Sequence, residues 1–426
     1  MAALLFAALA ALWHWGPRTL YFAVLGRFGF VPFRFPFLDI HAVLAAAQCQ
    51  RLGFDVYRYN PCDVLGRVHV YSPLWLTLTP HVLGTGATTP VGLGLDLMFI
   101  LALASVIRPT SPGETLLCGL AALSPMTIYA LERANCDVLI FLLIVAGCAL
   151  GRASRPWRFG AYGFYLFAGL LKYYPLVLLV LLVRERRRDA LILAALATGS
   201  LLALAGIAQA DLVKALGNIP VLSYFADSFS ARNLPFGIAE ITFGTGRHGA
   251  ALLLLLVLGA LAATRISRTV RLLDRAALDP EPFAAQTMLV GALVLTACFF
   301  SGQNIDYRGI YFVLIMPGLV RLRGLEEDPK VRRFLAQMMA AVLLVAWADP
   351  MRSIVDRFAT QLGGALGPRI ELLFWIGREL LWWWLIAGLA AIILAYAARA
   401  LLRPGCRWPR LDIAVPAAIR RAKRGA

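Results

Sequence analysis

What most constrains this chain is a succession of apolar runs, each roughly 16 to 25 residues long and rich in Leu and Ala, separated by short arginine-rich segments. A helix needs about 20 apolar residues to cross the hydrocarbon of a bilayer. Inside that hydrocarbon every backbone N–H and C=O must be bonded within the structure, which leaves only helices and closed barrels. The runs are continuous rather than alternating, so a barrel is excluded. The pattern predicts an all-α, polytopic transmembrane helical bundle of about 11–12 membrane helices. Composition closes the soluble alternative: 60% of the residues are hydrophobic and 15% charged, too little polar sequence to cover a water-soluble core of this size.

The predicted helices cover 2–25, 88–107, 114–131, 136–151, 159–171, 175–183, 189–209, 249–264, 283–300, 307–320, 334–348 and 379–402. The first lacks a basic start and a small-residue cleavage site, so it reads as a retained helix. The fifth and sixth are too short to span alone and read as two half-helices meeting at Lys172-Tyr173-Tyr174-Pro175. Residues 1–402 form one integral membrane domain and 403–426 a basic tail. The net charge of +17 sits in short segments such as Arg184–Asp189 and Arg321–Arg333, all on one side of the threaded chain. That is the positive-inside pattern, so this side is cytoplasmic and nucleic acid is not the partner. The opposite side receives the longer loops, 27–87 above all. Of the possible compartments this fits a bacterial plasma membrane, with the active face outside.

No phosphate-binding glycine loop, dinucleotide fingerprint or Asp-x-Asp pair occurs, and the five histidines lack metal-ligand spacing. No cofactor and no metal are expected. No internal repeat is visible.

Chemistry-bearing residues gather in the first long loop. Asp39 precedes Ile40, Val43, Leu44 and Ala47 at helical spacing, which predicts a short helix lying along the membrane surface. Asp39 is then either its N-cap or a general base held at the membrane boundary. Gly53 ends the helix, and Asn60-Pro61-Cys62-Asp63 makes a turn. Cys49 and Cys62 are either a loop-closing disulfide or two unpaired small residues. Further on, Lys172 is a charge in an apolar hairpin, which is costly unless it lines a polar cavity or pairs. Glu132, Arg133, Asn135 and Asp137 open a helix, as caps or as ligands of an anion. Asp306 and Arg308 either pair with each other or contribute Arg308 and Tyr307 to a cavity. Arg232 and Asn233 lie in a polar, aromatic loop suited to sugar contact.

The order of these elements resembles the GT-C superfamily of polytopic membrane glycosyltransferases, and within it the bacterial family 87-like, polyprenyl-phosphate-sugar-dependent mannosyltransferases. The likeness rests on Asp39, Gly53-Phe54-Asp55-Val56-Tyr57, Tyr71-Ser72-Pro73-Leu74, the Arg133-Ala134-Asn135-Cys136-Asp137 stretch and the Lys172-Tyr173-Tyr174-Pro175 break. It covers roughly residues 30–190. Val56 and Ser72 stand where Pro is common, and Ala134 where Gly is. The resemblance implies Asp39 as the catalytic base, with Asp55 and Asp63 as lesser candidates. Lys172, Arg133, Asn135, Asp137, Asp55, Tyr57, Tyr71, Arg232, Asp306 and Arg308 are the expected substrate contacts. The implied reaction moves a sugar, mannose or similar, from a polyprenyl-phosphate donor to a glycan or lipid acceptor. The alternatives are a lipid or solute transporter and a non-catalytic protein of the same fold.

Overall fold

The computed structural model describes residues 2–29, 33, 35–152, 155–225, 227–244, 246, 248–274, 276 and 283–402. The basic tail and residues 30–32 and 34 of the aromatic approach to Asp39 lie outside these residues. The helices run α1 (Ala2–Trp15), α2 (Arg18–Arg27), α3 (Leu38–Arg51), α4 (Leu74–Leu78), α5 (Thr88–Val106), α6 (Pro112–Ala122), α7 (Pro125–Glu132), α8 (Cys136–Leu150) and α9 (Arg155–Leu171). They continue α10 (Arg187–Gly217), α11 (Asn233–Phe243), α12 (His248–Leu273), α13 (Phe283–Ser301), α14 (Phe312–Leu325), α15 (Pro329–Ala346), α16 (Ala348–Leu362) and α17 (Leu366–Leu402). Three 3-10 segments cover Thr85–Ala87, Tyr174–Arg184 and Asp306–Tyr311. Two short strands, β1 (Ser228–Phe229) and β2 (Asn304–Ile305), pair antiparallel, Ser228 opposite Ile305.

Among the described residues, five helices are long and apolar enough to cross a membrane, or up to seven when each of two bent pairs counts as one span. This is a multi-pass membrane protein, and its helices do not all coincide with the predicted apolar runs. Several of those runs are broken. Gly16-Pro17 splits the first into α1 and α2, since proline cannot continue a helix through its own N–H. Ser124-Pro125 likewise separates α6 from α7, with a bend of 46°. Elsewhere the helices outrun the apolar signal. α17 begins at Leu366 rather than 379, because the charged Arg378-Glu379 pair is buried inside it. α16, an amphipathic helix, lies where the sequence reads as loop.

α13 is the centre of the bundle. Its residues from Ala285 to Leu295 are nearly all buried, and it packs on α8, α14, α17 and the 174–184 segment. α10 and α12 lie outside this core with exposed rows of large apolar side chains, among them Leu196, Leu202 and Ile207 on one and Leu253, Leu256 and Leu261 on the other. Such faces would be a liability in water and are the normal lipid contact in a bilayer.

The first loop folds inward. α3 is covered by the rest of the chain: Ile40, Val43, Leu44, Ala45, Ala46 and Ala47 are all buried, and the helix packs on α4 and α5. Its alanines allow close approach on every side, which the spacing of the larger apolar residues does not reveal. Gly53 follows the helix with φ +88°, the left-handed conformation that ends helices. A Cys49–Cys62 disulfide closes the loop, which decides between the two readings of those residues. The closed loop spans 13 residues. Cross-linking a loop of that size stabilises by about 3 kcal/mol. Reductant, or the Cys49→Ala/Cys62→Ala pair, is therefore expected to lower the melting midpoint. An unchanged midpoint would mean that packing alone holds the loop.

Candidate functional site

Asp39 sits in the first turn of α3, but Phe37 is the N-cap residue, and no side chain caps the helix. The carboxylate is thus not spent on backbone N–H groups. It accepts instead from Asn135 Nδ2 at 2.7 Å and from Arg67 Nη1 at 3.3 Å. Two backbone bonds fasten it to the α7–α8 turn: Phe37 N–H to the Glu132 carbonyl at 2.6 Å, and Asp39 N–H to that of Arg133 at 3.0 Å. Its side chain stays 17% exposed, so one face is open to a partner.

Arg67 was not among the expected residues. It donates to both oxygens of the buried Asp63, each at 3.0 Å, and to the Leu38 carbonyl at 2.7 Å. Asp63 also accepts from the backbone of Leu65 and Arg67. Burial raises the Asp63 pKa, but the Arg67 bonds outweigh it and hold the group below the usual carboxylate value. Asp63 is a brace for Arg67, with no oxygen left to act as a base.

The α7–α8 turn supplies the hub. Ala134 has φ +41°, a left-handed conformation that costs a non-glycine residue roughly 1 kcal/mol. This turn aims Asn135, the N-cap of α8, in three directions. Its Oδ1 accepts from Asp137 N–H at 2.9 Å and from Lys172 Nζ at 3.4 Å, while its Nδ2 reaches Asp39. Ala134→Gly should therefore leave stability unchanged or raise it by up to about 1 kcal/mol. Inside a helix the same change costs about that much. Thermal unfolding of the variant checks this, and a clear drop would show that the Ala134 methyl matters more than its dihedral.

Asp137, wholly buried, gathers the cations. Lys172 Nζ lies at 2.9 Å and Arg308 Nε at 3.4 Å, and the Tyr174 hydroxyl donates to it. Tyr174 in turn bonds the Tyr311 hydroxyl at 2.6 Å. Lys172 follows the end of α9, where the Leu171 carbonyl accepts from Trp75 Nε1 at 3.2 Å. Its ammonium lies 5.2 Å from the Tyr71 ring and 6.0 Å from that of Tyr307. Arg308 also donates to Asn304 Oδ1. Five residues expected from the sequence, Asp39, Asn135, Asp137, Lys172 and Arg308, are thus joined in one chain of contacts, with Tyr71 beside it.

The others lie elsewhere. Asp55 pairs with Lys214 at 3.0 Å and Arg58 at 3.6 Å. Tyr57 is buried in a small cluster with Val56, Leu76 and Ala215, and its carbonyl accepts from Asn218 Nδ2 at 2.7 Å. The Gly-Phe-Asp-Val-Tyr stretch therefore docks the loop onto the end of α10. Arg133 is buried against Glu132, 3.0 Å away, and stacks on Phe33 and Tyr129. Arg232 is exposed at the start of α11. Asp306 does not pair with Arg308; its nearest cation is Arg378 Nη1 at 3.8 Å. Arg67, Asn304, Tyr174 and Tyr311 complete the cluster through contacts that no local spacing announces.

Two further features border the site. A cavity of about 320 Å³, lined chiefly by apolar groups such as Phe6, Trp13 and Phe37, has Asp96 and Glu132 in its wall. His69, buried between the rings of Tyr57 and Tyr71, donates from Nε2 to the Ser72 carbonyl at 3.5 Å. Burial lowers its pKa from 6.5 to about 4, with the Ser72 contact opposing. Because the folded value is the lower one, stability is fully present above about pH 6.5 and is lost as the pH falls toward 4. His69 alone should cost roughly 1.4 kcal/mol per pH unit across that window. His69→Gln is expected to flatten the acid limb of a melting-midpoint profile, and an equally steep limb would assign the loss to other groups.

Comparison of the chain with protein-family models, with characterised proteins and with solved structures returns no match.

Proposed function

We propose that this protein is a membrane glycosyltransferase that moves a sugar from a polyprenyl-phosphate donor to a glycan or lipid acceptor. The observation that carries the reading is a charge imbalance. Lys172 and Arg308 touch a single carboxylate, Asp137, so the inner half of the cluster holds one positive charge in excess, and the carboxylate that balances it, Asp39, lies beyond Asn135. Buried charge of this kind is costly unless an anion joins it. A donor phosphate supplies that anion, and phosphate is also the group on which negative charge grows as the sugar departs.

The remaining parts fit around this. Asp39, partly exposed and one Asn135 side chain away from Lys172, takes the proton from the acceptor hydroxyl. Asn135 fixes the spacing between base and phosphate. Tyr71 and Tyr307 offer ring faces to the sugar. The adjoining apolar cavity takes part of the isoprenoid chain, which enters from the bilayer. A single displacement of phosphate by the hydroxyl inverts the anomeric carbon. By the distribution of arginine, this face of the bundle lies outside a bacterial plasma membrane.

The test is transfer of labelled sugar from polyprenyl-phosphate donors to membrane acceptors by the purified chain in liposomes. Donor-dependent transfer that nucleotide sugars cannot replace supports the reading. No transfer from any of several lipid-linked sugars, combined with movement of the lipid between leaflets, would replace it with transport.

A further inference from the structure

Away from the Asp39 cluster, three carboxylates from distant parts of the chain converge. Asp227 precedes β1, Asp306 opens the 3-10 segment after β2, and Asp349 lies in the first turn of α16. One oxygen from each lies within 4.8 Å of the others. The first two are drawn together by the β1–β2 pair and by the Asp306 N–H, which donates to the Asp227 carbonyl at 3.2 Å.

Acidic clusters on surfaces are common and mean little. Here two of the three members are buried and lack hydrogen-bond partners. Asp306 is 1% exposed and Asp349 4%. Among the described residues, neither oxygen of Asp306 and not Oδ1 of Asp349 has a hydrogen-bond partner. The adjacent guanidiniums reach the cluster only in part: Arg378 holds Glu379 at 2.9 Å and the Ser228 carbonyl at 3.1 Å and comes no nearer than 3.8 Å to Asp306, while Arg352 pairs with Asp227. Asp227, Asp306, Asp349 and Glu379 thus share Arg352 and Arg378, and Arg352 also meets Asp356 at 3.9 Å, so carboxylates outnumber guanidiniums here. Leaving buried carboxylate oxygens without partners is strongly unfavourable. Protons on these acids would also lower the excess, but would leave the carboxyl oxygens to find donors and acceptors among themselves.

A divalent cation offsets two of these charges and gives the unpartnered oxygens a ligand role. Oxygen ligands around a hard cation stand 2.0 to 2.6 Å from it, so two of them lie at most about 5 Å apart. The three carboxylates already meet that limit. We propose that Asp227, Asp306 and Asp349 bind a hard divalent cation, of the Ca²⁺, Mg²⁺ or Mn²⁺ class, through one carboxylate oxygen each. An all-oxygen donor set favours these ions over zinc or copper. Asp227, the most exposed of the three at 36%, is the side of entry. The ion ties the loop after α10, the turn after α13 and the start of α16 to one point. Since Asp306 is two residues before Arg308, it also sets where that guanidinium sits.

The full-length chain in detergent, stripped with EDTA, is titrated separately with Ca²⁺, Mg²⁺ and Mn²⁺. Melting midpoint and bound metal by mass spectrometry are the readouts. The expected result is about one equivalent retained after gel filtration and a rise of several degrees in midpoint with at least one of the ions. Asp306→Asn and Asp349→Asn should lose both responses. Wild-type protein that keeps no metal and melts alike in EDTA and in all three ions overturns the proposal. So does a response that survives in both variants, which would place the ion elsewhere. If the variants do not fold, the wild-type titration decides alone. Neither readout involves sugar transfer, so this site stands or falls apart from the transferase reading.

Discussion

Asp39→Asn is expected to lower sugar transfer by roughly 10²- to 10⁴-fold, the usual contribution of a positioned general base, while the protein stays folded. The asparagine oxygen can still accept from Asn135 Nδ2, and Arg67 keeps its bonds to Asp63 and to the Leu38 carbonyl. The lost ion pair is partly exposed on both sides, 32% for Arg67 and 17% for Asp39. Its removal should cost no more than about 1 kcal/mol. Two neighbours calibrate the result. Asp55→Asn breaks exposed pairs with Lys214 and Arg58 and should leave transfer near wild type. Asp63→Asn takes a wholly buried charge from Arg67 and should show as lost stability first. A folded Asp39→Asn protein that transfers sugar at the wild-type rate would remove Asp39 as the base and leave no other carboxylate in the cluster free to act.

The sequence revealed the site unevenly, and the pattern has a physical cause. Asp39, Asn135, Asp137, Lys172 and Arg308 stood out because polar residues in or beside apolar helices are expensive and therefore conspicuous. Ala134 stood out as an alanine in a place suited to glycine, and its φ of +41° gives the reason. Asp55 and Tyr57 misled because a motif tells which residues recur together, not what each touches; here they anchor the loop to α10. Arg67 was silent because it is one arginine among many in sequence, and only the fold brings it to Asp39 and Asp63. Asp227 and Asp349 were silent for the same reason, being more than a hundred residues apart in the chain. The helical class followed from apolar length alone. The helix boundaries did not, because breaks such as Gly16-Pro17 and the buried Arg378-Glu379 pair cannot be weighed without the packing around them.

Asp137→Asn is expected to destabilise the protein by about 3–5 kcal/mol, the cost of leaving a buried ion without its partner. Here two ions lose it at once. Lys172 is 5% exposed and Arg308 12%, so water reaches neither easily. The aromatic rings beside Lys172 and the Asn304 oxygen on Arg308 soften the loss without supplying a charge. Lys172→Met alone should be far milder, because Asp137 then keeps Arg308 and the Tyr174 hydroxyl. Combining the two changes should recover part of the stability, since the pair in contact is coupled by roughly 0.5–3 kcal/mol. The cycle also bears on the ligand. A phosphate bound between Lys172 and Arg308 would stand in for the missing carboxylate. A polyprenyl phosphate should therefore raise the melting midpoint of Asp137→Asn more than that of wild type, and that of Lys172→Met least. If Asp137→Asn melts like wild type, the two cations are not held by this carboxylate. The charge imbalance that points to a phosphate donor would then lose its basis.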